Sequence, residues 1–165
     1  MKTSQAVIIL LLVANLAATI WFGVEKRNRP EPIQGTASSS HSLPALITDD
    51  VKEQILEEFK RLFNEGNFDG LYSMFGAAAQ ARFSKEASDQ EFEKLKKFFH
   101  SVEDGGFSHS EFLGAQGDTN VYVLNYVVKL AETSEFGTKG TLKVTLAVHG
   151  DQYEIYGIRL NGGTI

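Results

Sequence analysis

The sequence predicts an α+β domain behind a single membrane-spanning helix, and three observations carry that prediction. An apolar run fills residues 6–24. Between residues 49 and 104 apolar side chains recur at helical spacing, and from residue 107 onward the period switches to two. Helical segments followed by consecutive strands pack as helices on one face of an antiparallel sheet. The expected architecture is three N-terminal helices against an antiparallel sheet of about four strands.

The run from Ala6 to Val24 spans roughly 28 Å as a helix, close to the hydrocarbon thickness of a bilayer. Only Asn15 and Thr19 interrupt it with polar side chains, and Trp21 and Phe22 stand where an interfacial aromatic belt would. A secretory signal shares the basic start, but its apolar region is about 7–15 residues long and ends in a small-x-small cleavage site, which is not seen here. Residues 1–27 therefore read as an N-terminal transmembrane anchor. The alternative is a cleaved signal and a secreted domain. Lys2 precedes the span and Lys26, Arg27 and Arg29 follow it, so the flanking charges nearly balance. A short N-terminal tail stays inside and lets the chain translocate. The expected location is a cell (inner) membrane, single-pass, with the domain on the extracytoplasmic, periplasmic side. Ala14 and Ala18 form a small-xxx-small pair on which two such helices could meet.

Residues 28–47 hold all three prolines of the chain and a serine cluster, and read as a disordered tether. The remaining residues, 48–165, suffice for one domain with one core. That domain carries twelve basic and nineteen acidic side chains. Such a balance argues against nucleic acid and against tight docking on anionic lipid, both of which are attracted by clustered Lys and Arg. The dense basic group Lys94, Lys96 and Lys97 is interleaved with Glu91 and Glu93 and reads as a solvated helix face. The chain has no cysteine, which excludes disulfides, thiol chemistry and a lipid-modified cysteine anchor.

The first helix starts at Asp49 and Asp50, carries Val51, Ile55, Phe59, Leu62 and Phe63 on one stripe, and stops at Asn64-Glu65-Gly66-Asn67. A second begins near Asp69 with Leu71, Tyr72, Met74 and Phe75 and continues through the alanines of residues 77–81. The third opens on the capping box Ser88-Asp89-Gln90-Glu91 and aligns Phe92, Leu95, Phe99 and Val102. Gly105-Gly106 is expected to end this helical half. Strands follow over residues 107–115, 119–131, 138–149 and 153–161, with a tight hairpin at Gly150-Asp151. Alternation places Tyr122, Leu124, Tyr126, Val128 and Leu130, with Tyr156, Ile158 and Leu160, towards the helices. Val121, Val123, Asn125, Val127, Ile155, Gly157 and Arg159 fall on the other face.

The element order, and the turn Phe63-Asn64-Glu65-Gly66-Asn67-Phe68-Asp69 leading into Leu71-Tyr72-Ser73-Met74-Phe75, resemble the nuclear transport factor two-like superfamily. The likeness covers residues 48–165, and the chain is similar in particular to small membrane-tethered or exported bacterial members, many of unassigned function. It implies a curved, cone-shaped sheet with a cavity between sheet and helices, and frequent dimerisation through the outer sheet face. The superfamily it resembles includes isomerases, dehydratases and cyclases, so function has to come from the site.

An isomerase-type site needs a cavity carboxylate as base and a tyrosine or protonated acid to stabilise the oxyanion. Asp69, Asp104, Asp118 and Asp151 all lie beside glycine in turn or capping contexts, so no catalytic set is assigned. Tyr72, Tyr122, Tyr126 and Tyr156 are the candidate ligand-binding lining of the cavity, with large core residues as the plainer reading. Val121, Val123, Asn125, Val127 and Arg159 are the candidate partner surface, for a homodimer or another protein. His109 and Glu111 share a face, and His149 flanks a hairpin with Asp151, but no third ligand is fixed, so no metal and no cofactor is expected. The leading expectation is a non-enzymatic, membrane-tethered binding or assembly module. An isomerase or dehydratase acting on a small apolar molecule, and a purely structural dimerisation module, stand beside it.

Overall fold

The computed structural model describes residues 42–163. Four helices, α1 (Asp49–Glu65), α2 (Phe68–Ser73), α3 (Ala77–Arg82) and α4 (Lys85–Phe99), precede four strands. The strands are β1 (Val102–Gln116), β2 (Thr119–Leu130), β3 (Lys139–His149) and β4 (Gln152–Gly162). They pair antiparallel in the order β1-β2-β3-β4, so each connection is a hairpin. This is the expected α+β arrangement of helices against a four-stranded sheet. The apolar run at residues 6–24 and tether residues 28–41 lie outside the described residues. Among those described, no helix is long and apolar enough to cross a membrane.

Helix α1 is capped by Thr48, whose Oγ1 accepts the Val51 N–H at 3.2 Å, with Asp49 and Asp50 complementing the dipole in its first turn. It ends at Gly66, in the left-handed region at φ 69°, whose N–H donates to the carbonyls of Leu62 and Phe63. Its stripe of Ile55, Leu56, Phe59, Leu62 and Phe63 is buried. The folded unit begins before the expected boundary at residue 48. Leu43, Leu46 and Ile47 pack on the core, so the stretch nearest α1 is not tether: three apolar side chains there find a surface to cover.

The expected second helix is broken in two. At residues 74–76 the backbone leaves the helix, Phe75 bridges β4 at Ile155, and the Gly76 N–H donates to the Ile155 carbonyl at 2.8 Å. Only glycine allows this approach, since a Cβ at Gly76 would lie 2.3 Å from the Glu154 Cβ. The last helix also starts one turn earlier than expected. Its cap is Ser84, whose Oγ accepts the Ala87 N–H at 3.2 Å, and Ser88 lies inside the helix. Lys85 in its first turn binds both Asp69 and Asp89, the latter at 2.5 Å, and its ammonium is held above the usual lysine range by the Asp69 and then the Asp89 carboxylate.

Gly105 and Gly106 do not end the helical half; they lie inside β1, opposite Val128 and Val127. A Cβ at Gly105 would sit 2.9 Å from Val128 Cγ1 and 3.0 Å from the Val127 carbonyl oxygen, so the glycine lets β1 close onto β2. The start of β1 is fixed from α1. Asn64 Nδ2 donates to the Val102 carbonyl at 2.8 Å, and its Oδ1 accepts the Val102 N–H at 2.9 Å.

All five β2 residues assigned to the helix side are buried there. In β4 the alternation breaks at a bulge: Leu146 faces Ile155 and Thr145 faces Gly157, leaving Tyr156 as the extra residue. Ile155, expected on the outer face, is consequently part of the core, while Leu160 opposite Leu142 keeps the expected side.

Candidate functional site

The four candidate tyrosines are not brought together. Tyr122 is 4% exposed and packs against Phe112 with ring centroids 5.2 Å apart. Tyr72 spans α2 and α3, donating to the Phe83 carbonyl at 3.0 Å and within 3.3 Å of that of Gln80. Tyr156, on the bulge, accepts from Arg82 Nη1 at 3.1 Å. Tyr126 is 1% exposed and donates to the Lys52 carbonyl at 3.0 Å. The space between helices and sheet is filled by Phe59, Phe63, Leu71, Leu124, Leu142, Val144 and Leu146, each fully buried.

Burial pushes the Tyr126 phenol well above the ordinary tyrosine range, with Tyr153 adding to the shift. The fold therefore keeps a proton that the unfolded chain releases above about pH 10, so this residue's stabilisation is whole below that pH and falls as pH rises beyond it. Urea unfolding between about pH 9 and 11 should show the parent losing stability more steeply than Tyr126→Phe. Parallel slopes would rule out this coupling.

The strand register lays the outer sheet face out in rows. His109, Asn125, Lys143 and Arg159 form one row across β1 to β4. Glu111, Val123, Thr145 and Gly157 form the next, and Gly106, Val127, Thr141 and Asn161 flank the first on its other side. Val121 extends the face one row further, opposite Ala147. All five candidate partner-surface residues thus share one face, and it is partly apolar: Val127 is 44% exposed, whereas Val123 is buried among its neighbours.

Glu111 Oε1 is the hub of this face. It accepts from Asn125 Nδ2 at 2.9 Å, with His109 Nε2 at 3.4 Å and Lys143 Nζ at 3.8 Å. Asn125 is 5% exposed, and among the described residues it is the only buried polar or charged one. Its hydrogen bond to a carboxylate keeps it satisfied. Ser108 Oγ lies 3.1 Å from His109 Nδ1, which sets hydroxyl, imidazole and carboxylate in a line. The His109 and Glu111 side chains are 60% and 44% exposed, so the line lies open to solvent on the outer face of the sheet, where a docking surface can reach it. Among the described residues no three His, Asp or Glu side chains converge as a metal site. The contacts of Glu111 with Asn125 and Lys143 were missed; cross-strand register, invisible before pairing is known, joins them.

A second feature was also missed. A cleft of about 270 Å³ runs between α1 and β1, walled by Asp49, Lys52, Glu53, Leu56 and Glu57 on one side and Gly105, Gly106 and Phe107 on the other. Tyr126 forms part of its floor, alone among the four tyrosines. Lys52 Nζ pairs with Asp49 Oδ1 at 2.7 Å and lies 4.6 Å from the Phe107 ring centroid.

No protein family's sequence profile matches the chain, and no curated protein sequence matches it. Among solved structures, it is similar to a DUF4783 family protein from Bacteroides ovatus, with 14% identity and a TM-score of 0.42 over 66% of this chain and 94% of that one. The protein Aln2 from a Streptomyces species is similar at 15% identity and TM-score 0.42, over 67% and 87% of the two chains. A candidate dehydratase from the nuclear transport factor two-like family of Streptomyces avermitilis is similar at 12% identity and TM-score 0.39, over 72% and 100%. Likeness at this level assigns neither a family nor an activity to the chain.

Proposed function

We propose that the domain is a non-catalytic assembly module of the nuclear transport factor two-like kind, which joins a second copy of the chain through its outer sheet face. Residues 6–24 hold it at a membrane, with the domain outside the cytoplasm. The observation that carries the assembly reading is the charge layout of the rows. Glu111 stands on β1, at one side of the sheet, and Arg159 stands on β4, at the other, while Lys143 on β3 reaches back to within 3.8 Å of Glu111. A two-fold axis running along the strands between β2 and β3 lays the acidic side of one copy over the basic side of the other, with Val121, Val123 and Val127 between. An isomerase or dehydratase reading needs a buried carboxylate; among the described residues the buried polar one is an amide, Asn125.

Arg159→Glu or Glu111→Lys alone should weaken self-association of the detergent-solubilised full chain by about tenfold, measured by light scattering across concentration. Combining the two restores complementarity and should recover most of the loss. Additive weakening in the double variant would refute this pairing.

The membrane reading rests on the apolar run and its flanks, and the absence of cysteine makes it testable. Ser39→Cys, the only thiol in the chain, should react with a membrane-impermeant maleimide from the extracytoplasmic side while the protein sediments with membranes. Protection of that thiol until the membrane is broken would place the domain inside. Release of a shortened chain would show cleavage.

A further inference from the structure

We infer that the cleft between α1 and the free edge of β1 is a peptide groove that receives an extended, lysine- or arginine-bearing segment of a partner protein as a fifth strand. β1 is an edge strand of 15 residues. At its start two side chains stand where a neighbouring strand would. Asn64 bonds both the N–H and the carbonyl of Val102, as a peptide group on an adjacent strand does, and Asp104 Oδ1 takes the Gly105 N–H at 2.8 Å. From Gly106 to Ser110 no hydrogen bond among the described residues reaches that edge. The opposite edge of the sheet differs, for Phe75 pairs with β4 there. An uncovered edge is a template for another chain, and a helix beside it makes a slot with a backbone wall and a side-chain wall.

The shape of the slot favours a main-chain guest. Gly105 and Gly106 place no side chain at its entrance, and a Cβ built on Gly106 meets nothing within 4 Å. The chemistry of the helix wall selects the guest's side chains. Asp49, Glu53 and Glu57 follow at four-residue intervals along α1, hence on one face, and all three line the cleft. Lys52 engages Asp49, and Lys60 engages Glu57 at 2.5 Å, while Glu53 has no ion-pair partner among the described residues. Lys52 also shows what the cleft accommodates: an ammonium between a carboxylate and the Phe107 ring, which is 38% exposed. A cationic side chain from an incoming strand meets Glu53 and the same ring. The α1 wall of the cleft, with Glu53, is not part of the outer sheet face, though Gly106 belongs to both surfaces.

The test uses the full chain in detergent and the peptide acetyl-Lys-Val-Lys-Thr-Lys-Val-Lys-Thr-amide. Two controls accompany it: the same peptide with glutamate for lysine, and the lysine peptide with every second backbone amide N-methylated. The lysine peptide should bind with a Kd below about 1 mM and slow amide exchange at residues 106–110 by about tenfold or more. N-methylation, which removes strand donors without changing charge, should weaken binding at least about tenfold. Glu53→Lys, at an exposed helix position, should weaken the lysine peptide by about tenfold with the circular dichroism spectrum unchanged. Equal binding of the N-methylated peptide, equal binding of the glutamate peptide, protection confined to other strands, or no binding at about 1 mM would each overturn the proposal.

Discussion

Phe63→Ala is expected to lower the unfolding free energy by about 3–5 kcal/mol, a large part of what a single domain has. Phe63 is fully buried and stacks on Phe59 with centroids 5.4 Å apart and planes 17° from parallel. Lys96 Nζ lies 5.3 Å from the same ring and donates to the Asn64 carbonyl at 2.8 Å, so α4 is fastened to α1 at this point. Alanine leaves a void that fully packed neighbours cannot close, and removes the ring that Lys96 rests on. Urea unfolding of the full chain, followed by near-ultraviolet circular dichroism, measures the loss. Phe63→Leu, which refills most of the volume, should cost about 1–2 kcal/mol. A loss below about 1 kcal/mol for alanine would mean that Phe59 and Phe63 are not the centre of the packing between helices and sheet.

The second large effect falls on one amide. Asn64→Ala should cost about 2–4 kcal/mol, because the Val102 N–H and carbonyl both lose their partner at a fully buried residue. The damage should be local first. Ala131, whose N–H donates to the Ser101 carbonyl at 3.0 Å beside this anchor, should exchange its amide faster in the variant, while the β3–β4 pairing keeps its protection. Asn64→Asp separates the two bonds: it keeps the acceptor for the Val102 N–H and sets a carboxylate against the Val102 carbonyl. It should therefore be no more stable than the alanine variant. Equal exchange at Ala131 in parent and alanine variant would show that β1 is held from elsewhere.

Much of this fold is legible in the sequence because periodicity reports which face of an element meets the core. The stripe of α1 and the alternation of β2, from Tyr122 to Leu130, needed no tertiary information. Errors arose where tertiary contact overrode a local signal. Gly105-Gly106 carries the composition of a turn, yet packing against Val128 and Val127 makes the pair a strand segment. Phe75-Gly76 continues a helical pattern, yet the edge of β4 takes its backbone. Ser88 begins a capping box and loses to Ser84 one turn upstream. The bulge at Tyr156 moved Ile155 into the core, which alternation cannot anticipate because one unpaired residue inverts every assignment beyond it.

The candidate surfaces follow the same division. Val121, Val123, Asn125, Val127 and Arg159 share a face because β2 is regular and Arg159 lies beyond the bulge, in register with Lys143. The cavity tyrosines did not converge: Tyr122 and Tyr126 share β2, Tyr72 lies on α2 and Tyr156 on β4, and each satisfies a different neighbour. The α1–β1 cleft was invisible for a physical reason: it exists only because β1 begins five residues earlier than its period-two pattern, which placed Gly105-Gly106 beside the helix.

The assembly of two copies through the outer sheet face is tested most directly by cross-linking the full chain in its membrane. Because the chain is free of cysteine, Val127→Cys puts a single thiol on the proposed interface, and Glu93→Cys puts one on the exposed side of α4 as a control. With a short bismaleimide, Val127→Cys should yield a covalent dimer, and adding Arg159→Glu should reduce it. Glu93→Cys should stay monomeric. A monomeric Val127→Cys, or equal dimer from both positions, would contradict assembly through this face.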